Sequence, residues 1–127
     1  MIRGVGVDTV SVGGMAALVG RLDRGVLARM FTAYELSAAR ERADSTEYLA
    51  ARFAVKEAVF KAVAPELEEK SFDFRRVETR SRSDGSPYGR VDDELRAVLD
   101  RAGVDRLFVS ITTEEGFATA FVVAESA

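Results

Sequence analysis

A single long helical pattern, at positions 45–64, limits the architectures open to this chain of 127 residues. Its larger apolar residues are Leu49, Phe53 and Phe60. Together with several alanines they recur at helical spacing, and alanine has the highest helix propensity of all residues. Asp44 precedes the pattern with a glutamate three residues later, as at many helix N-termini. Pro65 ends it, because the residue before a proline disfavours helical geometry, so this helix is the most secure element that the sequence predicts.

The other apolar patterns are shorter and differ in period along the chain. Strand patterns lie at 2–8, 71–79, 106–112 and 117–125, with a Glu-Glu-Gly hairpin turn between the last two. Helical patterns lie at 15–30 with a bend near Gly25, at 32–42 from a capping box at Thr32, and at 91–102 with Gly103 as C-cap. This order predicts one α+β domain over residues 1–127 rather than a doubly wound sheet.

The first strand pattern carries glycines on one face and leads to an aspartate. In a strand, Val5 and Val7 would lie on one face and Gly4 and Gly6 on the other. Such a pattern is typical of a strand that another backbone approaches closely. Asp8 is expected at the end of the strand, where functional side chains are often presented. A lone aspartate after a strand also serves as a turn or helix-capping residue, so both interpretations stay open.

The sequence contains neither cysteine nor histidine, which excludes several kinds of chemistry. No disulfide, thiolate nucleophile or thiolate zinc site can form, and there is no imidazole base or ligand. Catalysis would have to use carboxylates, lysine, arginine, hydroxyl groups or a metal bound through oxygen.

The charge balance and the apolar patterning bear on partners and location. Basic residues number 18 and acidic residues 21, so the net charge of −3 offers no global basic field for nucleic acid or an anionic membrane. No apolar stretch is long enough to span a bilayer, and the N-terminus lacks the order of a signal peptide. We therefore expect a soluble, cytoplasmic protein that binds neither nucleic acid nor membranes.

Two residues of the long helix form a candidate for chemistry. Glu57 and Lys61 are four residues apart and hence neighbours on one helical face. A carboxylate beside a lysine can hold a hard divalent cation while the ammonium contacts a metal-bound phosphate, provided that a second carboxylate such as Asp8 arrives from elsewhere. The alternative is a solvated ion pair worth about 0.2–0.5 kcal/mol. Spacing alone does not decide between them.

Five segments, in order and at matching spacing, resemble one enzyme family. They are GVGVDTV, MFTAYEL, YLAARFAVKEAVFKAV, DGSPY and SITTEEGFATAFVVAE. Over nearly its whole length the chain is similar to the holo-acyl-carrier-protein synthases, the small 4′-phosphopantetheinyl transferases. The resemblance implies a homotrimer of α+β subunits, each with an antiparallel sheet packed with helices, and active sites at subunit boundaries. It also implies Mg²⁺-dependent transfer of 4′-phosphopantetheine from coenzyme A to a serine of an apo acyl carrier protein of fatty acid or polyketide synthesis.

The resemblance also implies roles for individual residues. Asp8 and Glu57 correspond to the Mg²⁺ ligands, and Glu57 and Lys61 to the catalytic residues, with Lys61 on the reacting phosphate. The implied coenzyme-binding positions are Arg52, Lys56, Lys61, Gly85, Pro87, Ser110 and Thr113, although Arg52 and Lys56 also suit pairing across subunits. Three arginines of the first helical segment would bind the acidic carrier protein, namely Arg21, Arg24 and Arg29, although they also suit an ordinary solvated face.

Several positions depart from the family pattern, and they cluster on the coenzyme side. Thr113 stands where the family has a phosphate-contacting histidine, and Ser86 replaces a lysine of the turn. The segment after Lys61 lacks the usual glycine-rich loop. Each lost charged contact costs about 1.5–3 kcal/mol of binding free energy. The alternative function is therefore a catalytically degenerate homologue that keeps the trimer and binds a carrier protein or another partner without transfer.

Overall fold

A computed structural model describes residues 1–67, 73 and 77–127 of the chain. The elements in order are β1 (Ile2–Ser11), α1 (Val12–Arg21), α2 (Arg24–Met30), α3 (Ala33–Arg40), α4 (Ser45–Val63), β2 (Val77–Ser81), β3 (Pro87–Val91), α5 (Asp93–Arg101), β4 (Arg106–Glu114) and β5 (Phe117–Glu125). A short 3-10 turn, Ala64–Glu66, follows α4. The α+β class expected from the sequence is confirmed. Within the described residues, no helix combines the length and the apolar character needed to cross a membrane.

A three-stranded antiparallel sheet in the order β1, β5, β4 forms the framework of the subunit. One face of it lies against α4, which is buried along most of its length. The core between them combines α4 residues with alternate β5 residues, Ala120, Val122 and Ala124. Strands β2 and β3 form a separate antiparallel pair. Because alternate side chains of a strand point to opposite faces, one face of the larger sheet packs on the core.

Glycines in β1 allow α4 to approach the strand directly. A Cβ atom at Gly4 would overlap the carbonyl oxygen of Ala62, and one at Gly6 would overlap that of Ala58. Both carbonyls belong to α4, so the expectation of a close backbone approach at these glycines is confirmed. The contact fixes which part of α4 faces β1 and thereby sets the surroundings of Asp8.

Three local predictions are corrected. Strand β1 continues to Ser11, so Asp8 lies inside the strand rather than at its end. The strand ends at Ser11, whose side chain caps α1 by accepting from the Gly14 N–H at 3.0 Å. The break between α1 and α2 falls before Asp23, which caps α2, and Gly25 lies within the first turn of that helix. Helix α5 begins at Asp93 rather than at Val91, because Val91 pairs in β3.

The region before α5 contains a strand that the sequence analysis missed. Strand β3 starts with Pro87 and includes Gly89, two residue types that weaken a strand pattern. Of the strand expected at 71–79, only residue 73 and residues from 77 onward are described, and β2 starts at Val77. The rest of that prediction, at 71–72 and 74–76, lies outside the described residues.

The β4–β5 hairpin has the tight turn that the sequence predicts. Glu115 and Gly116 both have positive φ, 50° and 80°. Two successive residues with positive φ define the turn type whose twist matches that of the flanking strands. Glycine adopts this conformation without strain, whereas glutamate does so at a cost.

Candidate active site

The close packing of α4 on β1 brings together three of the residues singled out in the sequence. The Lys61 Nζ lies 3.1 Å from the Asp8 Oδ1 and donates to the Val7 carbonyl oxygen at 3.0 Å. Glu57 lies one turn earlier on the same helix, and it interacts electrostatically with both Asp8 and Lys61. The Lys61 side chain is 51% exposed and that of Asp8 19%, so the cluster opens to solvent through Lys61.

The electrostatics of the cluster disfavour the charge of one carboxylate. Burial raises the pKa of Glu57 above its ordinary value, the negative charge of Asp8 raises it further, and the ammonium of Lys61 partly opposes both effects. Two carboxylates that repel each other in this way are stabilised by a shared cation. Lys61 supplies one positive charge beside the pair.

The donor set suits a hard divalent cation. Asp8 and Glu57 offer only oxygen ligands, as Mg²⁺ prefers, and Mg²⁺ usually takes one or two protein carboxylates and completes its shell with water and substrate phosphate. In the described part of the chain, no group of three or more acidic side chains forms a complete protein cage for a metal. The residues therefore fit an ion that shares its coordination shell with a substrate.

Lys56 does not join this cluster, and the expectation that it binds coenzyme A is corrected. Its side chain is fully buried, its Nζ lies 2.8 Å from the Glu35 Oε1, and it donates to the Val77 carbonyl oxygen at 2.6 Å. Burial lowers the pKa of Lys56, and the carboxylate of Glu35 opposes that effect. An ammonium buried and paired inside the subunit cannot reach a ligand at the surface.

A second feature lies at the start of α4, where two arginines flank one aromatic ring. The Arg52 Cζ is 3.8 Å and the Arg42 Cζ 4.9 Å from the centroid of the Tyr48 ring. These three residues line a cavity of about 360 Å³ together with Thr113. The Arg52 Nε is buried and has no hydrogen-bond partner among the described residues. The cavity therefore joins two predicted coenzyme-binding residues, Arg52 and Thr113, in one recess, whose lining also includes the acidic residues Asp44 and Glu47.

Sequence reasoning missed Arg42 as a member of this recess. Arg42 follows α3 and lies six residues before Tyr48, across the connection to α4. No local spacing rule links two residues across such a connection. The only signal in the sequence was the abundance of arginine over lysine, which favours planar, bidentate donors at an anion site.

The structure does not bring the remaining predicted coenzyme-binding positions to this recess. Gly85 lies in the exposed turn between β2 and β3, with φ 89°, and Pro87 begins β3. Ser110 lies opposite Phe121 in the register of β4 and β5, on the sheet face that α4 does not cover. Thr113 is three residues further along β4, so its side chain points to the opposite face of the sheet from that of Ser110.

The three arginines predicted to bind a carrier protein are all exposed. Arg21 ends α1, and Arg24 and Arg29 lie on α2. Arg24 also borders a cavity of about 580 Å³ that is lined by Arg40 and Arg42 and by three leucines, Leu27, Leu36 and Leu49. This surface combines positive charge with apolar area.

The sheet face opposite α4 is apolar and uncovered. Its larger side chains are between 46% and 55% exposed, and they are Val5, Val7, Phe108, Phe117 and Phe121. The strand register places Val5, Val123 and Phe108 in one row across the three strands, and Val7 and Phe121 in the next. A contiguous apolar patch of this kind marks an interaction surface.

Comparison with known proteins identifies the family of the chain. The family model of the 4′-phosphopantetheinyl transferase superfamily matches residues 4–122, so the chain belongs to that superfamily. A holo-acyl-carrier-protein synthase from Halothermothrix orenii is 35% identical over 125 residues, 98% of each chain. Within the superfamily, the chain belongs to the holo-acyl-carrier-protein synthase family.

Two solved structures agree with the fold over nearly its full length. The holo-acyl-carrier-protein synthase from Neisseria meningitidis is similar with a TM-score of 0.89 and 32% identity, covering 99% of this chain and 100% of that one. A complex of the Chronobacterium ammoniagenes synthase with coenzyme A is similar with a TM-score of 0.83 and 29% identity, covering 98% of this chain and 97% of that one.

Proposed function

We propose that this chain transfers 4′-phosphopantetheine from coenzyme A to a serine of an apo acyl carrier protein. In this reaction the serine oxygen forms a bond to the phosphorus that carries pantetheine. The bond from that phosphorus to the bridging oxygen breaks, the serine loses its proton, and adenosine 3′,5′-bisphosphate leaves. The observation that carries the proposal is the cluster of Asp8, Glu57 and Lys61 in a member of the synthase family.

Asp8 and Glu57 would hold Mg²⁺ beside the pyrophosphate of coenzyme A. When bound, the ion supplies positive charge that neutralises the pyrophosphate and orients it. Lys61 is half exposed and next to Asp8, so its ammonium can donate to an oxygen of the transferred phosphate. Phosphoryl transfer needs little covalent work from a protein, since positioning and charge stabilisation provide most of the catalysis.

The recess between Arg42 and Arg52 would bind the nucleotide end of coenzyme A. Both guanidinium groups contact the face of Tyr48, which leaves their N–H donors to a phosphate. Thr113 lines the same recess. It offers a neutral hydroxyl at the position where the family pattern has a histidine. The two arginines of this recess would bind a phosphate without that histidine, against the opposing charges of Asp44 and Glu47 in the same lining.

A homotrimer would complete the site. The uncovered apolar sheet face is suited to contact with another copy of the chain, because such a patch is costly to leave in water. Ser110 lies on that face, and Gly85 and Pro87 lie on a separate hairpin. Their proposed contact with coenzyme A would therefore be made in the active site of a neighbouring subunit.

The acyl carrier protein would dock on the exposed arginines of α1 and α2. Carrier proteins of this kind are acidic, so Arg21, Arg24 and Arg29 would guide their approach and set their orientation. The adjoining cavity lined by Leu27 and Leu36 would accept an apolar side chain of the carrier.

We place the protein in the cytoplasm and in fatty acid or polyketide synthesis, acting as one domain over residues 1–127.

The intact mass of a carrier protein tests the proposal. The chain is incubated with coenzyme A, Mg²⁺ and a panel of apo acyl carrier proteins, and a pantetheinyl adduct is expected on at least one carrier. Chelation of the metal with EDTA should stop the reaction. If no carrier gains the adduct and calorimetry detects no binding of coenzyme A, the transferase proposal is wrong and the degenerate homologue is favoured.

Substitution of one carboxylate tests the site assignment. Glu57→Gln should reduce transfer by about two orders of magnitude or more, because a positioned metal contributes several kcal/mol of transition-state stabilisation. Glu41→Gln is the matched control, since Glu41 is exposed at the end of α3. Equal rates for Glu57→Gln and the wild type would contradict the proposed role of Glu57.

A further inference from the structure

We propose that Lys56 is a positioning residue, whose buried ion pair with Glu35 holds α4 in the rotation that places Glu57 and Lys61 beside Asp8. The inference rests on the transferase function proposed above and concerns a side chain that does not touch the substrate. Lys56 is one of three lysines in the sequence and immediately precedes Glu57. Its location is therefore linked to the active site by a single peptide bond.

The ammonium of Lys56 is held by two acceptors from different parts of the chain. The Glu35 carboxylate, on α3, accepts at 2.8 Å, and the Val77 carbonyl oxygen, on β2, accepts at 2.6 Å. Both the lysine and the glutamate side chains are fully buried. One point of α4 is thus tied to two other elements at once.

Glu35 is itself fixed on both of its oxygens. Its Oε1 accepts from the Thr32 N–H at 3.0 Å, as part of the capping box of α3, and its Oε2 accepts from the Thr79 N–H at 3.4 Å. Because each oxygen has a backbone donor, the carboxylate cannot turn without breaking a hydrogen bond. The partner of Lys56 is therefore rigid rather than adaptable.

A second carboxylate closes the network on its outer side. The Thr32 hydroxyl donates to the Glu78 Oε1 at 2.6 Å. The Arg80 Nε donates to the Glu78 Oε2 at 2.6 Å, and Arg90 lies 3.6 Å from the same oxygen. Thr32 thus links the two carboxylates, and Arg80 and Arg90 balance the charge of Glu78, so the buried pair is not isolated.

The position of Lys56 on the helix explains why this network bears on the active site. At about 100° of rotation per residue, Lys56 lies roughly 160° around α4 from Ala58 and roughly 120° from Ala62. Ala58 and Ala62 are the residues whose carbonyl oxygens meet Gly6 and Gly4 of β1. The glycine contact limits how closely α4 approaches β1, and the ion pair on the far side limits how α4 turns.

Stability alone gives a weak reason for such a pair. Replacing a buried ion pair with neutral side chains of similar size is often neutral or even stabilising, because burial of the two charges is costly. A charged pair does, however, tolerate only one arrangement of its hydrogen bonds. The geometry therefore points to orientation of α4, rather than to net stability, as the contribution of Lys56.

The double variant Lys56→Met/Glu35→Gln tests the inference. Methionine approximates the lysine stem, and glutamine can replace glutamate in a capping box, so the fold is expected to persist as a cooperative thermal transition. We expect kcat for carrier modification to fall by about tenfold to a hundredfold, as small displacements in an active site do.

A crystal structure of the double variant provides the second readout, which needs no activity. The contact between the Lys61 Nζ and the Asp8 Oδ1 should be lost or lengthened. An unchanged kcat would overturn the inference, and so would a reduced kcat with the Asp8–Lys61 contact intact. An inactive wild type would instead contradict the proposed function, and the crystal structure would still decide whether Lys56 positions α4.

A single substitution decides the question if the double variant does not fold. Glu35→Gln keeps the capping box and the packing of the lysine stem, while it removes the carboxylate partner of Lys56. A smaller loss of kcat together with a displaced Asp8–Lys61 contact would support the inference. A wild-type kcat in folded Glu35→Gln protein would refute it.

Discussion

At the scale of single residues, Glu57 lies in an environment that favours its uncharged form. Burial and the neighbouring charge of Asp8 both raise its pKa, and Lys61 compensates only in part. The folded state therefore binds this proton more tightly than the unfolded chain does. Stability consequently falls as the pH rises from the ordinary carboxyl value of 4.5 through the raised value of the folded protein.

Glu57→Gln should therefore raise the melting temperature of the metal-free protein at neutral pH, because it removes a charge that the fold disfavours. The difference from the wild type should disappear in acid below a pH of 4.5, where Glu57 is protonated in both states. Differential scanning calorimetry in EDTA across this pH range measures both effects. A lower melting temperature of the variant at neutral pH would contradict this interpretation, and Glu41→Gln serves as the control.

Gly6 allows the close packing of α4 on β1 that brings the active-site residues together. Gly6→Ala places a Cβ on the carbonyl oxygen of Ala58, so α4 must move away from β1. We expect a loss of about 1–3 kcal/mol in the free energy of unfolding, the usual cost of overpacking, and a loss of transfer activity that exceeds it. Denaturant unfolding and carrier modification measure the two effects.

Gly20→Ala is the matched control for this substitution. Gly20 lies in α1, and a Cβ at this position meets no atom within 4 Å. Alanine also has the higher helix propensity, so the control should be as stable as the wild type or slightly more stable. Equal stability and activity of Gly6→Ala and Gly20→Ala would show that α4 does not depend on the glycine contact.

At the scale of elements, the β4–β5 hairpin contains one residue that does not suit its turn. Glu115 has φ 50°, and asparagine followed by glycine is the preferred pair for a turn of this type. Glu115→Asn should raise the free energy of unfolding by a few tenths of a kcal/mol up to about 1 kcal/mol. Urea unfolding measures the change, with Glu114→Asn, inside β4, as a control that should not stabilise.

The elements that sequence reasoning located well are those with local signals. The capping box of Thr32 and Glu35, the start of α4 at Ser45 and the hairpin around Gly116 all depend on residues close in sequence. Strand β3 was missed because its proline and glycine hide a pattern that only pairing with β2 stabilises. Local chemistry is visible in a sequence, whereas pairing between distant segments is not.

The candidate site shows the same division. Residue types and spacing left Asp8 and Glu57 open to other interpretations, and the family resemblance was needed to bring them together. Lys56 was assigned to the coenzyme because it lies in the same motif, yet its partner Glu35 is 21 residues away. The recess of Arg42 and Arg52 depends on how the connection from α3 to α4 folds over Tyr48. No periodicity in the sequence encodes either contact.

At the scale of the whole molecule, the apolar sheet face leads to a prediction about assembly. Phe121 lies in the central strand of the sheet, with Val7 and Ser110 on either side, and it is 46% exposed. Phe121→Asp would bury a charge in any interface formed there, at a cost of several kcal/mol. We expect the wild type to sediment as a trimer and Phe121→Asp as a monomer in analytical ultracentrifugation.

Ala97→Asp controls for the added charge, because Ala97 is exposed on α5. This variant should keep the trimer and the activity. Phe121→Asp should also lose transfer, since the proposed contacts of Ser110 require a neighbouring subunit. A monomeric wild type with full activity would show that one chain is sufficient.

The unequal exposure of the lysines has a practical consequence for chemical labelling. Lys56 is sealed inside the subunit, whereas the Lys61 side chain is half exposed in the active-site cluster. Over residues 1–67, 73 and 77–127, an amine-reactive dye or biosensor surface therefore meets only the N-terminus and the one lysine that the proposed reaction needs. Coupling through Lys61 would inactivate the enzyme while it reports successful immobilisation, and capture through an affinity tag would avoid this artefact.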